Sequence, residues 1–229
     1  TMFTASLFGS SQLLLTFVAY LGLLLWALLR LPWVELFSDS RRQHLLYAAS
    51  FFLLLMWLVR RELDSGLTFH FLGMTAVVLL LNWPTAVLAG TLAQLLLLAL
   101  GQDAWTVFGA NGLVRIALPV LVTMLIWHLL ERSKPRNLFV YIFVCGFFGA
   151  ALAGLASILG SMALLWWSGA LSELQNLWEY FAYLLLILFP EAFVNGMLIA
   201  GLVVFYPRWV ETFDDDRYLQ EPFDPPPKP

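Results

Sequence analysis

The sequence predicts an all-α integral membrane protein, a bundle of about seven transmembrane helices in which the third and fourth form a short hairpin. Of its 229 residues, 61% are hydrophobic and only 12% are charged, and the mean hydropathy is +0.83. A soluble domain, by contrast, carries about 25% charged residues. Apolar runs bounded by charged residues, proline or glycine account for most of the chain; the shortest has 15 residues and the longest 30, whereas one membrane crossing needs roughly 20.

The predicted helices span 12–29, 44–59, 67–81, 85–100, 113–130, 138–167 and 180–206. The first run has no basic residue before it and no small-residue cleavage pattern after it, so we expect a retained span. The third and fourth runs are separated only by Asn82, Trp83 and Pro84. Because the two runs together are too long for one crossing, this punctuation favours a tight turn between two short helices.

The distribution of basic residues predicts the orientation in the membrane. With seven crossings, 9 of the 12 Lys and Arg residues fall on one side, and Arg60, Arg61 and Arg115 fall on the other. The side richer in basic residues is expected to be cytoplasmic. We therefore expect a plasma (inner) membrane protein with its N-terminus outside. The predicted domains are a transmembrane domain over 1–207 and an acidic, proline-rich cytoplasmic tail over 208–229.

Several functions are excluded by what the sequence lacks. The net charge of −3 argues against nucleic-acid binding, and the single cysteine, Cys145, allows no internal disulfide. The chain has no phosphate-binding loop, no His-Glu-x-x-His pair and no Gly-x-Ser-x-Gly elbow. We therefore expect a protein that is not an enzyme and whose partner is the lipid bilayer. The chain could not power transport by ATP hydrolysis on its own and would need a separate ATPase for it.

His70 is the first candidate for metal binding. It falls one turn into the predicted third helix, where Met74 would share its helical face. Imidazole is the commonest protein ligand for borderline transition metals such as nickel and cobalt. A histidine that is hydrogen-bonded inside the bundle is the alternative interpretation.

Other polar residues also fall at membrane depth. The segment 101–112 is nearly uncharged and rich in glycine, which favours a re-entrant loop. Within it, Asp103 and Asn111 offer oxygen ligands or groups that orient His70. Glu191 and Asn195 lie one turn apart after Pro190, where they would either repair the helix break or line an ion path.

Four short motifs carry a family resemblance. The motifs are Phe69-His70-Phe71-Leu72-Gly73, Asn82-Trp83-Pro84, Gly109-Ala110-Asn111 and the stretch from Phe189-Pro190 to Asn195-Gly196. In order and spacing the chain resembles the CbiM/NikM-type substrate-capture permeases of energy-coupling-factor cobalt and nickel transporters. The resemblance implies a seven-helix bundle with an outward N-terminus, a metal-binding role for His70, nickel or cobalt as substrate, and separate ATPase and coupling membrane subunits.

The chain departs from that family at two positions. The family has a metal-binding histidine directly after the initiator Met, whereas here Phe3 follows Met2, and Asn195 stands where the family has a glutamate. These departures favour an alternative function, that of a structural or assembly membrane subunit that keeps the bundle without transporting.

Overall fold

The computed structural model describes residues 3, 5–62, 68–133, 136–170 and 177–218, and for residues 5, 60–62, 68–70, 177–185 and 215 the backbone only. Its helices are α1 (Ser10–Arg30), α2 (Trp33–Ser38), α3 (Ser40–Leu58), α4 (Met74–Ala99), α5 (Trp105–Ser133), α6 (Leu138–Ser168), α7 (Leu177–Phe205) and α8 (Asp215–Tyr218). Between α3 and α4, strands β1 (Arg60–Glu62) and β2 (Thr68–His70) form an antiparallel ribbon.

The helices confirm the predicted class of all-α membrane protein. Within the described ranges, α1, α4, α5, α6 and residues Leu186–Phe205 of α7 are long and apolar enough to cross a membrane. α3 has 19 residues and is less apolar because its first turn carries Arg41, Arg42 and His44. With α3, and with α4 counted as two segments, the bundle has about the predicted number of helices.

α4 is broken at Asn82, whose backbone adopts φ 61° and ψ 165°. The N–H of Trp83 donates to the Asn82 side chain at 2.7 Å, and Pro84 has no N–H. The carbonyls of Leu79 and Leu80 therefore lose their helical donors. They accept instead from the backbone N–H groups of Thr212 and Glu211.

The two segments of α4 run in opposite directions. We call the two ends of the bundle the Ser10 end and the Arg30 end, after the first and last residues of α1. The first segment (74–81) begins beside the last turns of α3. At its other end, the Leu80 carbonyl accepts from the N–H of Glu211, whose side chain pairs with Arg42 at the start of α3. The second segment (83–99) begins with Trp83 against Trp26, late in α1, and passes Tyr20 at Thr91. The predicted hairpin is thus present.

The predicted start of the third helix is wrong. The spacing predicted a helix over 67–81, but residues 68–70 form β2 and the helix begins at Met74. Aromatic and β-branched residues favour extended backbone when a second strand is available to pair with them. Gly73 then turns the chain with a left-handed φ of 65°. Met74 and His70 consequently share no helical face.

The predicted re-entrant loop over 101–112 is also wrong for most of its length, because α5 begins at Trp105. Its glycines serve close packing between helices. A Cβ atom at Gly109 would overlap the backbone of Phe17 in α1, and one at Gly112 would lie 2.7 Å from the Tyr20 ring. Small residues are the usual means by which membrane helices approach each other closely.

The chain after α7 folds back over the Arg30 end of the bundle. The side chains of Val210, Thr212, Phe213 and Tyr218 are buried there. Thr212 is central, because its hydroxyl contacts the Leu79 carbonyl and the Tyr141 hydroxyl, both at 2.7 Å. Residues 206–218, which we call the C-terminal strap, therefore belong to the packed structure, while residues 219–229 of the predicted tail lie outside the described residues.

Candidate functional site

The backbone at His70 is fixed by strand pairing at the Ser10 end. In the ribbon, His70 pairs with Arg60, which lies two residues after the end of α3. The side chain of His70 lies outside the described part of the structure. What the structure does describe is the chain on either side of this residue, and both sides are anchored to the bundle.

Glu191 of α7 holds the turn that follows His70. Its carboxylate, on a residue only 4% exposed, accepts from the N–H groups of Leu72 and Gly73, each at 2.9 Å. Asn195, one turn further along α7, donates to the Glu191 carboxylate and accepts from the N–H of Ala76, both at 2.8 Å. Both side chains thus bind the start of α4, where helix N–H groups lack partners within the helix.

Trp57 of α3 holds the same turn from the opposite side. Its indole N–H donates to the Leu72 carbonyl at 2.9 Å. The guanidinium carbon of Arg115 lies 5.7 Å from the centre of the Trp57 ring, within the range of a cation–π contact. Trp57 therefore connects the turn after His70 to the polar residues of α5.

Asp103 and Arg115 form a buried ion pair beside Trp57. Their N–O distance is 2.8 Å, and their side chains are 0% and 3% exposed. The second carboxylate oxygen of Asp103 accepts from the Asn111 amide at 2.7 Å and from the N–H of Ala104. Asp103 thus orients Asn111 while neutralising Arg115.

Among the described residues, two buried side-chain oxygens accept no hydrogen bond. They are Oδ1 of Asn111 and Oε1 of Gln94, and both residues are completely buried. The amide groups cannot be reversed without loss, because their nitrogens already donate to Asp103 and to the carbonyl of Phe108. A buried oxygen without a donor or a cation costs about 1–3 kcal/mol.

The structure therefore groups the predicted residues as two pairs, Asp103 with Asn111 and Glu191 with Asn195. Met74 is fully buried in the apolar core around α4. Among the described side chains, no cluster of three His, Cys, Asp or Glu residues is present. Sequence reasoning missed Arg115 and Trp57, although a lone arginine within an apolar run, one turn after Asn111, was a usable signal.

Comparison with known proteins decides the family. The model of the CbiM family, described as the cobalt uptake substrate-specific transmembrane region, matches residues 5–209. The chain belongs to the CbiM family. This agrees with the resemblance that the motifs around His70 and Asn111 carry.

Two solved structures share the CbiM-family fold seen here. One is described as a transition metal transporter; it is 17% identical, with a TM-score of 0.73, and covers 88% of this chain and 92% of its own. The other, described as a truncated transition metal transporter, is 17% identical with a TM-score of 0.72, and the match covers 86% of this chain and 96% of that structure's chain. No curated protein matches the chain. This CbiM-family chain is thus a multi-pass membrane protein from a family of metal-uptake components.

Proposed function

We propose that the protein is the substrate-capture subunit of an energy-coupling-factor transporter for a divalent transition metal, nickel or cobalt, with His70 as its principal ligand. The observation that carries the proposal is that the chain around His70 is fixed on both sides. Strand pairing with residues 60–62 holds His70 and the two residues before it, and Glu191 and Trp57 hold the turn after it. A ligand held in this way loses little conformational entropy when a metal binds.

Asn111 is the second proposed site residue, and Asp103 supports it. Both carboxylate oxygens of Asp103 accept from protein donors, whereas Oδ1 of Asn111 is buried and accepts from none of the residues that the structure describes. A neutral imidazole suits a borderline cation such as nickel, and the amide oxygen of Asn111, a harder ligand, would be the weaker of the two. In this proposal Asp103 orients Asn111 and balances Arg115, and it does not itself bind the metal.

The proposal also specifies an orientation and partners. The Ser10 end, which carries His70, faces outside, and the Arg30 end faces the cytoplasm. Burial of Arg115 against Asp103 removes one basic residue from the outer side, which strengthens the charge bias that predicts this orientation. Release inward requires a separate ATPase and a coupling membrane subunit, because the chain has no nucleotide-binding motif.

Metal binding by the purified protein tests the proposal. After loading with nickel or cobalt and removal of free metal, elemental analysis should give a fixed metal-to-protein ratio, and titration calorimetry a single class of site. His70→Ala should lower the affinity by at least about tenfold. His128→Ala is the matched control, since that histidine is exposed and contacts the Met124 carbonyl. Equal binding by the two variants, or no bound metal in the unaltered protein, would refute the proposal.

One observation favours the alternative of a non-transporting assembly subunit. Phe3 is 1% exposed and belongs to an apolar cluster with Val107 and Ala110, next to Asn111 in sequence. An apolar side chain thus occupies this part of the Ser10 end, and it offers no metal ligand. Isolation of the unaltered protein without metal, in a stable complex with a membrane partner but no ATPase, would support this second function.

A further inference from the structure

We propose that Glu191 and Asn195 are positioning residues for His70, so that α7 sets the geometry of metal capture. This inference rests on the proposed function and adds to it two residues that act through the backbone. Three observations carry it: the contacts of Glu191, the second contact made by Asn195, and the short chain distance from these contacts to His70.

The hydrogen bonds of Glu191 fix the backbone of the turn that follows His70. Both of its carboxylate oxygens accept backbone N–H groups, from Leu72 and Gly73, and Asn195 supplies a third donor. A buried carboxylate is tolerated when donors surround it in this way. The Glu191 carboxylate also lies in space at the N-terminus of α4, where a helix favours negative charge.

Asn195 extends the same hold by one turn of α4. Its Oδ1 accepts from the N–H of Ala76, and its amide nitrogen donates to the carboxylate and to the backbone carbonyl of Glu191, all at 2.8 Å. The two residues of α7 thus contact three N–H groups across the start of α4. A shift or rotation of α7 would therefore move this start as a unit.

His70 lies only two residues before Leu72. Because an extended chain rises about 3.3 Å per residue, its Cα is within roughly 7 Å of the Leu72 Cα. Phe71 alone separates the two residues, and the Leu72 carbonyl is held by Trp57. The position of the His70 backbone relative to α7 is therefore closely restricted.

This role differs from that of an ordinary helix cap. A cap affects the stability of its helix, whereas a residue that orients a metal ligand typically changes metal affinity by about 10–100-fold. The two roles therefore predict different results when the contact is weakened and the fold is retained.

Glu191→Gln is the decisive variant because it keeps the size of the side chain but turns one acceptor oxygen into a donor that faces a backbone N–H. We expect cobalt or nickel affinity to fall about tenfold, and the visible ligand-field bands of bound cobalt to shift. Hydrogen exchange at Leu72 and Gly73 should accelerate. Glu131→Gln is the matched control, since Glu131 pairs with Arg217 at the opposite end of the bundle.

A second variant keeps the test open if Glu191→Gln does not fold. Asn195→Asp retains an acceptor for Ala76 but removes the donor to Glu191, and it should shift the cobalt bands in the same direction. Unchanged affinity and unchanged bands in a folded variant, with the unaltered protein binding metal, would overturn the positioning role alone. Absence of metal from the unaltered protein would overturn the proposed function, and the positioning role with it.

Discussion

Loss of the Asp103 charge should destabilise the bundle strongly. Asp103→Asn keeps an oxygen for Asn111 but leaves Arg115 charged, 2% exposed and without the carboxylate that lies 2.8 Å from it. Removal of one partner from a buried ion pair costs about 3–5 kcal/mol. For a chain of this size that corresponds to a fall of roughly 10 °C in the unfolding temperature.

Thermal unfolding in detergent micelles, followed by tryptophan fluorescence, measures this cost. Arg115→Met added to Asp103→Asn should restore most of the stability, because the buried guanidinium that faces position 103 is then removed as well. The half-exposed Arg42–Glu211 pair, at 2.7 Å, provides the control, and Glu211→Gln should cost less than about 1 kcal/mol. If Asp103→Asn costs no more than Glu211→Gln, or if the double variant is as unstable as the sum of its parts, the reasoning is refuted.

Three further predictions concern packing, the C-terminal strap and pH. Gly109→Ala should lower the free energy of unfolding by about 1–3 kcal/mol, because the added methyl group forces α5 away from α1. Gly22→Ala is the control, since its methyl group would meet no atom within 4 Å, and it should leave the unfolding temperature unchanged or raise it. Equal effects of the two substitutions would contradict the packing account. Thr212→Val should lower the free energy of unfolding by about 1–2 kcal/mol per lost hydrogen bond and speed protease cleavage in the strap. An unchanged cleavage rate would contradict the role of the Thr212 hydroxyl. Burial raises the pKa of Glu211, outweighing the opposing effect of Arg42, so the folded state binds this proton more readily, and the stabilisation present at low pH is lost as pH rises through the folded-state pKa. Glu211→Gln should therefore reduce the difference in unfolding temperature between mildly acidic and neutral pH, and an unchanged difference would count against this assignment.

Local sequence patterns predicted the architecture well because membrane helices are defined by long apolar runs. The break at Asn82, Trp83 and Pro84 was readable too, since Pro84 has no N–H to donate and asparagine tolerates a positive φ better than most residues. The β-ribbon that contains His70 was not readable, because a three-residue strand depends on a partner strand elsewhere in the chain. Arg60 and His70, which pair in the ribbon, are 10 residues apart in sequence.

The candidate site was harder to predict because its contacts join distant parts of the chain. Glu191 and Leu72 are 119 residues apart, and no local pattern connects a carboxylate on α7 with a backbone N–H before α4. Asp103 and Arg115 are 12 residues apart, close enough for a pairing to be guessed. The charge count placed Arg115 with Arg60 and Arg61 on one side of the membrane, and its burial against Asp103 shows why an isolated charge in an apolar run should first be matched with a partner.

The break in α4 has a consequence for the order in which the protein matures. The carbonyls of Leu79 and Leu80 enter the membrane early in synthesis, yet their donors, Thr212 and Glu211, are made more than a hundred residues later. Until the strap has been synthesised, these two carbonyls must accept hydrogen bonds from water, lipid headgroups or the insertion machinery. The half-helix that leads away from His70 is thus completed only when synthesis of the bundle is almost finished.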